Sequence, residues 1–240
     1  MRTNPEVARA DVWVVDPRTM SPTVAAQCLE LLSTTERQQM RGFHFEPDRR
    51  AYLAAHALTR LALSTRDPGV PPNAWRFTRP PPGRPELVIS PGSVRWRFNL
   101  THTRKQVAVI VTCGPDCGVD VESVPPAFDG WDENAGVLSA SDRAQLLATP
   151  PDARSEYFHR LWTLKEAYAK ALGLGLQLPF HHISFELGNG CPRLIPHSEE
   201  WHFEQWLPDP DHVLATAIRA PGPVTVHRHV GMPEIGPGLE

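Results

Sequence analysis

Apolar residues along the chain recur with two periods, and the switches between them mark out its elements. Leu53, Ala57 and Leu61 lie on one line at i, i+4 spacing, with Tyr52, His56 and Arg60 on the neighbouring line, which predicts a helix. Leu161, Leu164, Tyr168 and Leu172 form a second helical stripe beside a line of Trp162, Glu166 and Lys170. A shorter helix start precedes each one, Leu32-Ser33-Thr34-Thr35-Glu36-Arg37 and Leu138-Ser139-Ala140-Ser141-Asp142-Arg143. Ser33 with Glu36 fits a capping box, in which each side chain satisfies an orphan amide of the first turn, and Ser139 with Asp142 is a shorter-armed version. Strand patterns follow in each copy. Trp96-Arg97-Phe98 precedes Gln106 to Thr112, and Trp201-His202-Phe203 precedes His212 to Ile218.

Corresponding positions keep an offset of between 105 and 110 residues, pairing Ser33 with Ser139, Arg50 with Arg160, His56 with Glu166, Arg60 with Lys170 and Trp96 with Trp201. Four elements in one order at one offset predict an α+β fold of two similar halves, residues 1–113 and 114–230, packed as an intramolecular pseudo-dimer. A cleft between halves is then the natural ligand site. Prolines, 26 in all, cluster between the predicted elements, as expected of residues that lack a backbone donor. The Gly/Pro-rich residues 231–240 are expected to form a flexible tail.

Composition narrows the function classes. With 24 Lys and Arg against 27 Asp and Glu, a net charge of −3, the chain has no global basic signature for nucleic acid. No stretch approaches the roughly 20 apolar residues that span a bilayer, so no membrane role is expected. Met1 to Val7 is polar and unlike a signal peptide, which makes cytoplasm the expected location. Cys28, Cys113, Cys117 and Cys191 are few and unevenly spaced, and read as reduced thiols.

Three segments place ionisable groups among strand or helix formers. In Gly118-Val119-Asp120-Val121-Glu122, alternation puts Asp120 and Glu122 on one face. Such a pair repels unless something positive sits between, and a hard divalent cation suits that position; a solvent-facing strand edge would read the same way. In Trp162 to Lys170, Glu166 and Lys170 share a helix face, which fits either a site or a surface ion pair, and Gly173 and Gly175 fit a helix stop. In Phe98-Asn99-Leu100-Thr101-His102-Thr103, a histidine between two hydroxyl residues offers donors for phosphate oxygens, or is simply a turn histidine. Arg41, Arg49, Arg50 and Arg84 are candidate cations for phosphate.

As an ordered set these segments resemble the 4′-phosphopantetheinyl transferase superfamily, and more closely its larger, monomeric surfactin-type class. The strand motif stands as Gly118 to Glu122, the helix motif as Trp162 to Lys170 with Ala171 to Leu176 trailing, and the histidine motif as Phe98 to Thr103. An upstream signature of Phe43, Asp48, Arg49, Tyr52, His56 and Arg60 also matches, so the likeness spans roughly Ser33 to Leu176. The family's fold, two similar halves around a cleft, agrees with the internal duplication.

The resemblance implies transfer of 4′-phosphopantetheine from coenzyme A to a serine of an acyl or peptidyl carrier protein, releasing adenosine 3′,5′-bisphosphate. By similarity, Asp120, Glu122 and Glu166 would hold Mg²⁺ on the coenzyme's pyrophosphate, Glu166 would accept the serine proton, and Lys170 would neutralise phosphate charge. Thr101 and His102 would contact the coenzyme's phosphates, with Arg41, Arg49 and Arg84 at its nucleotide end; Arg84 stands where many relatives have lysine. His56 and Arg60 are expected to be structural or to line the far side of the cleft. The pathways implied are polyketide and nonribosomal peptide synthesis. Two alternatives stay open, a magnesium-dependent nucleotide pyrophosphohydrolase and a coenzyme A- or carrier-binding module without turnover.

Overall fold

The structure is a computed structural model that describes residues 7–80, 83–88, 94–126, 136–188 and 190–235. Strand β1 (Ala8–Val15) leads into three helices, α1 (Pro22–Leu31), α2 (Thr34–Gly42) and α3 (Glu46–Arg66). A small hairpin of β2 (Phe77–Thr78) and β3 (Glu86–Leu87) is followed by β4 (Trp96–His102), β5 (Val107–Cys113) and β6 (Asp116–Ser123). The second half continues with α4 (Ala140–Ala148), α5 (Arg154–Leu172), the pair β7 (Ser184–Glu186) and β8 (Arg193–Ile195), and the strands β9 (Trp201–Asp209), β10 (His212–Arg219) and β11 (Val224–Val230).

Both predicted capping boxes form. Ser33 and Glu36 open α2, and Ser139 and Asp142 open α4, each with reciprocal side chain-to-backbone bonds. Gly173 ends α5 in the left-handed region at φ 74°, where a side chain would be strained.

The larger strands make two sheets, in the orders β11-β1-β5-β4 and β6-β10-β9. Alternation along each strand sorts side chains between two faces. On β1 and β5, Trp13, Val15, Val107, Val109 and Val111 pack with α1 and α3, while Ala10, Val12, Val14, Ala108 and Ile110 face the other sheet. Cys117, Val119, Val121, Leu214 and Ile218 meet them there. The opposite face of the second sheet, with Phe203, Ala215 and Ala217, packs on α5. The layers therefore run helix, sheet, sheet, helix, with the two sheets sharing a core and β4 lying beside β6 at their seam, where Asn99 Oδ1 accepts from Val119 N at 3.1 Å.

The expected division at residue 113 does not hold for the last strand. β11 pairs in parallel with β1, so part of residues 114–230 belongs to the first sheet. His229 fixes the crossing, stacking on Trp13 at 4.5 Å and meeting the buried Asp11 carboxylate at 2.8 Å. The expected tail is corrected as far as residue 235: Gly231 N donates to Val14 O, and Met232 and Ile235 pack on the first core. Residues 236–240 lie outside the described residues.

The side-chain contacts of the two halves do not follow the pairing of His56 with Glu166 and of Arg60 with Lys170. In the first half, Glu36 of the capping box is clasped by Arg60 at 2.7 Å and His56 at 2.9 Å. In the second half the corresponding acid, Asp142, takes Lys165 at 2.5 Å, and Lys165 is fully buried. Lys165 thus does in the second half what Arg60 does in the first, which leaves Glu166 and Lys170 free to face β6.

Candidate active site

Strand β6 and helix α5 approach so closely that only glycine fits between them. A Cβ on Gly118 would stand 2.0 Å from the Ala167 carbonyl oxygen and 2.6 Å from the Ala171 nitrogen. This contact brings Glu166 and Lys170, the neighbours of those two alanines, over the face of β6 that carries Asp120 and Glu122.

Asp120 is buried, and Lys170 Nζ stands 2.6 Å from its Oδ1, with Thr101 Oγ1 donating to the same oxygen at 3.0 Å. Its other oxygen, Oδ2, is buried with no partner among the described residues. Glu122 accepts from the Trp162 indole N–H at 3.0 Å. Burial, reinforced by the Asp120 charge, pushes its carboxyl up to about 7, against the smaller pull of Trp162 and Lys170. Burial also raises Glu166; the Lys170 ammonium pulls it down and the Asp120 charge pushes it up again. The carboxylates are thus crowded, poorly solvated and short of positive charge.

His102 follows Thr101 but points to the opposite face of β4, by the alternation of the strand. Its pKa is lowered by lost solvation and by the nearby His56 and Lys170, with Asp48 opposing. Beside Lys170 opens a cleft of about 580 Å³ between the halves, lined by Arg79, Arg84, Phe98, Asn99 and the turn Gly173 to Gln177. A neighbouring cleft of about 460 Å³ shares Arg79, Pro85, Phe98 and Leu100 with it and is also lined by Glu36, His56 and Arg60.

Of the other residues expected at phosphate, Thr101, Arg49 and Arg84 already have partners within the protein. The Thr101 hydroxyl is turned inward to Asp120, so it braces a carboxylate instead of facing the cleft. Arg49 Nη1 donates to the carbonyls of Phe43 and His44 and closes the α2–α3 connection. Arg84 donates to the Ala171 carbonyl at 2.8 Å, capping α5, while its side chain still lines the cleft. Arg41 is exposed at the end of α2, in a depression that shares Ser33, Arg60 and Arg76 with the smaller cleft. Two residues of the quoted motifs have roles that the sequence did not assign: Trp162, which holds Glu122, and Asn99, which ties the seam. Trp162 sits one turn before Glu166, and that spacing was the available signal.

Known proteins resemble this chain in both of its halves. The model of the 4′-phosphopantetheinyl transferase superfamily matches residues 116–217, and that of the 4′-phosphopantetheinyl transferase N-terminal region matches residues 18–113. A 4′-phosphopantetheinyl transferase of Bacillus subtilis is 27% identical over 183 residues, covering 72% of this chain and 79% of its own length. The 4′-phosphopantetheinyl transferase Sfp of Bacillus subtilis strain 168 is 26% identical over 207 residues, covering 85% and 89%. The human L-aminoadipate-semialdehyde dehydrogenase-phosphopantetheinyl transferase is 24% identical over 231 residues, covering 87% and 74%. Two family models that together take in both halves, and relatives aligned through the β6 and α5 motifs, lead to one conclusion: the chain belongs to the 4′-phosphopantetheinyl transferase superfamily.

Proposed function

We propose that this protein transfers the 4′-phosphopantetheine group of coenzyme A to a serine of an acyl or peptidyl carrier protein, with adenosine 3′,5′-bisphosphate as the leaving group. The observation that carries the reading is the meeting of β6 and α5, where Asp120, Glu122, Glu166 and Lys170 converge beside the cleft between the halves.

The residues fit Mg²⁺ by their chemistry. Asp120 has a buried oxygen without a partner, and Glu122 and Glu166 are oxygen donors whose charge is penalised by burial. Among the described residues no three acidic, histidine or cysteine side chains form a ready-made cage. The three carboxylates would therefore draw together around the ion, with water and substrate phosphate completing its shell. When bound, Mg²⁺ would supply positive charge to the pyrophosphate oxygens, reversing the repulsion that the carboxylates exert on it.

Asp120, Glu122 and Glu166 would hold the ion, and Lys170 would place its ammonium on phosphate oxygen. Glu166 would accept the proton of the carrier serine as its oxygen attacks the β-phosphorus; its raised pKa suits a group that must take up a proton. Thr101 and Trp162 would hold Asp120 and Glu122 in place, and the site would lose reach if either carboxylate turned. His102 lies on the face of β4 that carries Phe98 and Leu100, which line the cleft, and this placement supports a phosphate contact there. Arg41, with no hydrogen bond or ion pair among the described residues, remains a candidate for the nucleotide phosphate.

The protein is read as a cytoplasmic monomer whose two halves are related by a pseudo-two-fold; the capping boxes of α2 and α4, each with its acid met by a cation from the long helix that follows, support the second part. No helix among the described residues is long and apolar enough to cross a membrane. The test is mass spectrometry of apo carriers of the fatty-acid, polyketide and nonribosomal-peptide types after incubation with coenzyme A and Mg²⁺. A gain of the phosphopantetheine mass on one carrier is the expected result. Release of adenosine 3′,5′-bisphosphate without any carrier would favour a pyrophosphohydrolase, and coenzyme A binding without either product would favour a binding module.

A further inference from the structure

Asp120 is not an open carboxylate. Its Oδ1 receives Lys170 Nζ at 2.6 Å and Thr101 Oγ1 at 3.0 Å, and Lys170 is steadied further by the Val119 carbonyl at 3.4 Å. Asp120 is 4% exposed in its side chain and Lys170 24%, so the ammonium covers the carboxylate from the solvent side. Only Oδ2 is unpartnered, and it is buried.

We propose that Lys170 competes with the divalent cation for Asp120, and that the coenzyme's pyrophosphate relieves the competition by drawing the ammonium onto itself. The inference rests on the assignment of Asp120 to the metal made above. The physical basis is charge. A dication and an ammonium at bonding distance from the two oxygens of one buried carboxylate repel each other strongly in a poorly solvated site. Lysine is suited to move, being a point charge on a flexible four-carbon stem, and one end of that stem is anchored on α5. Phosphate oxygens offer the ammonium a new partner and the metal further ligands in the same step.

Metal and coenzyme then bind with positive coupling beyond their direct contact, and by linkage each raises the affinity of the other by the same factor. The arrangement also guards the site. Three carboxylates held ready around a cation would attract any divalent ion in solution, whereas a carboxylate already paired with lysine admits one chiefly when the coenzyme is present.

The experiment is binding of Mn²⁺, read from the electron paramagnetic resonance signal of the free ion, with and without coenzyme A and corrected for binding to coenzyme A alone. In the absence of coenzyme, Lys170→Met is expected to bind Mn²⁺ at least tenfold more tightly than the unaltered protein. Lys170→Arg, which keeps the charge, is expected to bind it as weakly as the unaltered protein, so a general loosening of the helix would be exposed by both variants gaining together. Circular dichroism checks that each variant is folded. If the unaltered protein takes up Mn²⁺ with coenzyme A but Lys170→Met gains nothing in its absence, the competition is overturned while the metal assignment stands. If no Mn²⁺ is taken up even with coenzyme A, the metal assignment fails, and the inference with it.

Discussion

Replacing Gly118 by alanine sets two physical effects of opposite sign against each other. Gly118 has ordinary backbone dihedrals, so a side chain introduces no backbone strain. On chain entropy alone alanine would stabilise a strand interior by about 0.5–1 kcal/mol. Packing opposes this. The new Cβ would lie 2.0 Å from the Ala167 carbonyl oxygen and 2.6 Å from the Ala171 nitrogen, and real contacts are essentially never under 3.0 Å. Both atoms are helix backbone, so no rotamer change relieves them and α5 must retreat from β6 by about an ångström. Overpacking of a dense core costs about 1–3 kcal/mol, and a clash with main chain belongs at the upper end. The same retreat carries Glu166 and Lys170 away from Asp120 and Glu122. A misplacement of about 1 Å in a catalytic constellation lowers rate about 10²-fold, which is about 2.7 kcal/mol of barrier. Denaturant unfolding followed by tryptophan fluorescence, with carrier modification followed by mass spectrometry, measures both consequences. Gly42→Ala is the control, because a Cβ there meets nothing within 4 Å and α2 should gain about 1 kcal/mol or less. If Gly118→Ala leaves the unfolding midpoint unchanged and transfer within threefold, the close approach of α5 to β6 does not position the site.

Other perturbations separate the roles of neighbouring groups. Glu166→Gln should lower kcat more than tenfold in steady-state assays at saturating Mg²⁺; retention of more than about a tenth, under 1.4 kcal/mol of barrier, would rule out its role as base. Lys170→Ala should raise KM for coenzyme A as well as lower kcat, and an unchanged KM would contradict its contact with phosphate. Burial alone would raise the Glu36 carboxyl, but His56, Arg60 and Ser33 outweigh it and hold it down at about 2. Its stabilising effect is therefore complete above its ordinary value near 4.5 and is lost as pH falls toward 2, so Glu36→Gln should flatten the fall of Tm across that window. Parallel slopes for the two proteins would refute this. Lys165→Met leaves Asp142 buried without its cation and should cost about 3–5 kcal/mol in denaturant unfolding, with Lys165→Met/Asp142→Asn recovering part of the loss.

What could be read from the sequence was what local spacing determines. The capping boxes at Ser33 and Ser139 depend on residues three apart, and the shared face of Asp120 and Glu122 on residues two apart. Gly173 likewise marks its helix end by its own conformation. The arginines were a different matter. Whether Arg49 or Arg84 meets a phosphate depends on which carbonyls lie within reach of a long side chain, and the carbonyls of Phe43 and Ala171 are placed by tertiary packing. Thr101, whose hydroxyl meets Asp120, is a related case. Adjacent strand residues point to opposite faces, so Thr101 and His102 could not act side by side. Equal spacing also misled the comparison of halves, because Arg60 and Lys170 correspond along the chain while the capping acids are met by Arg60 and Lys165.

The return of β11 to β1 has a consequence for how the molecule is built. Asp11 and His229 are 218 residues apart along the chain, yet their side chains share a hydrogen bond within one sheet. The first sheet cannot be completed by its own half, and loop closure over such a span has to precede the contacts that reward it. An isolated piece ending at β5 would leave β1 with a bare edge, the kind of template that other chains pair with. For all the repetition in their sequences, the two halves are stitched together at the end, so neither is a module that evolution or an experimenter can detach cleanly.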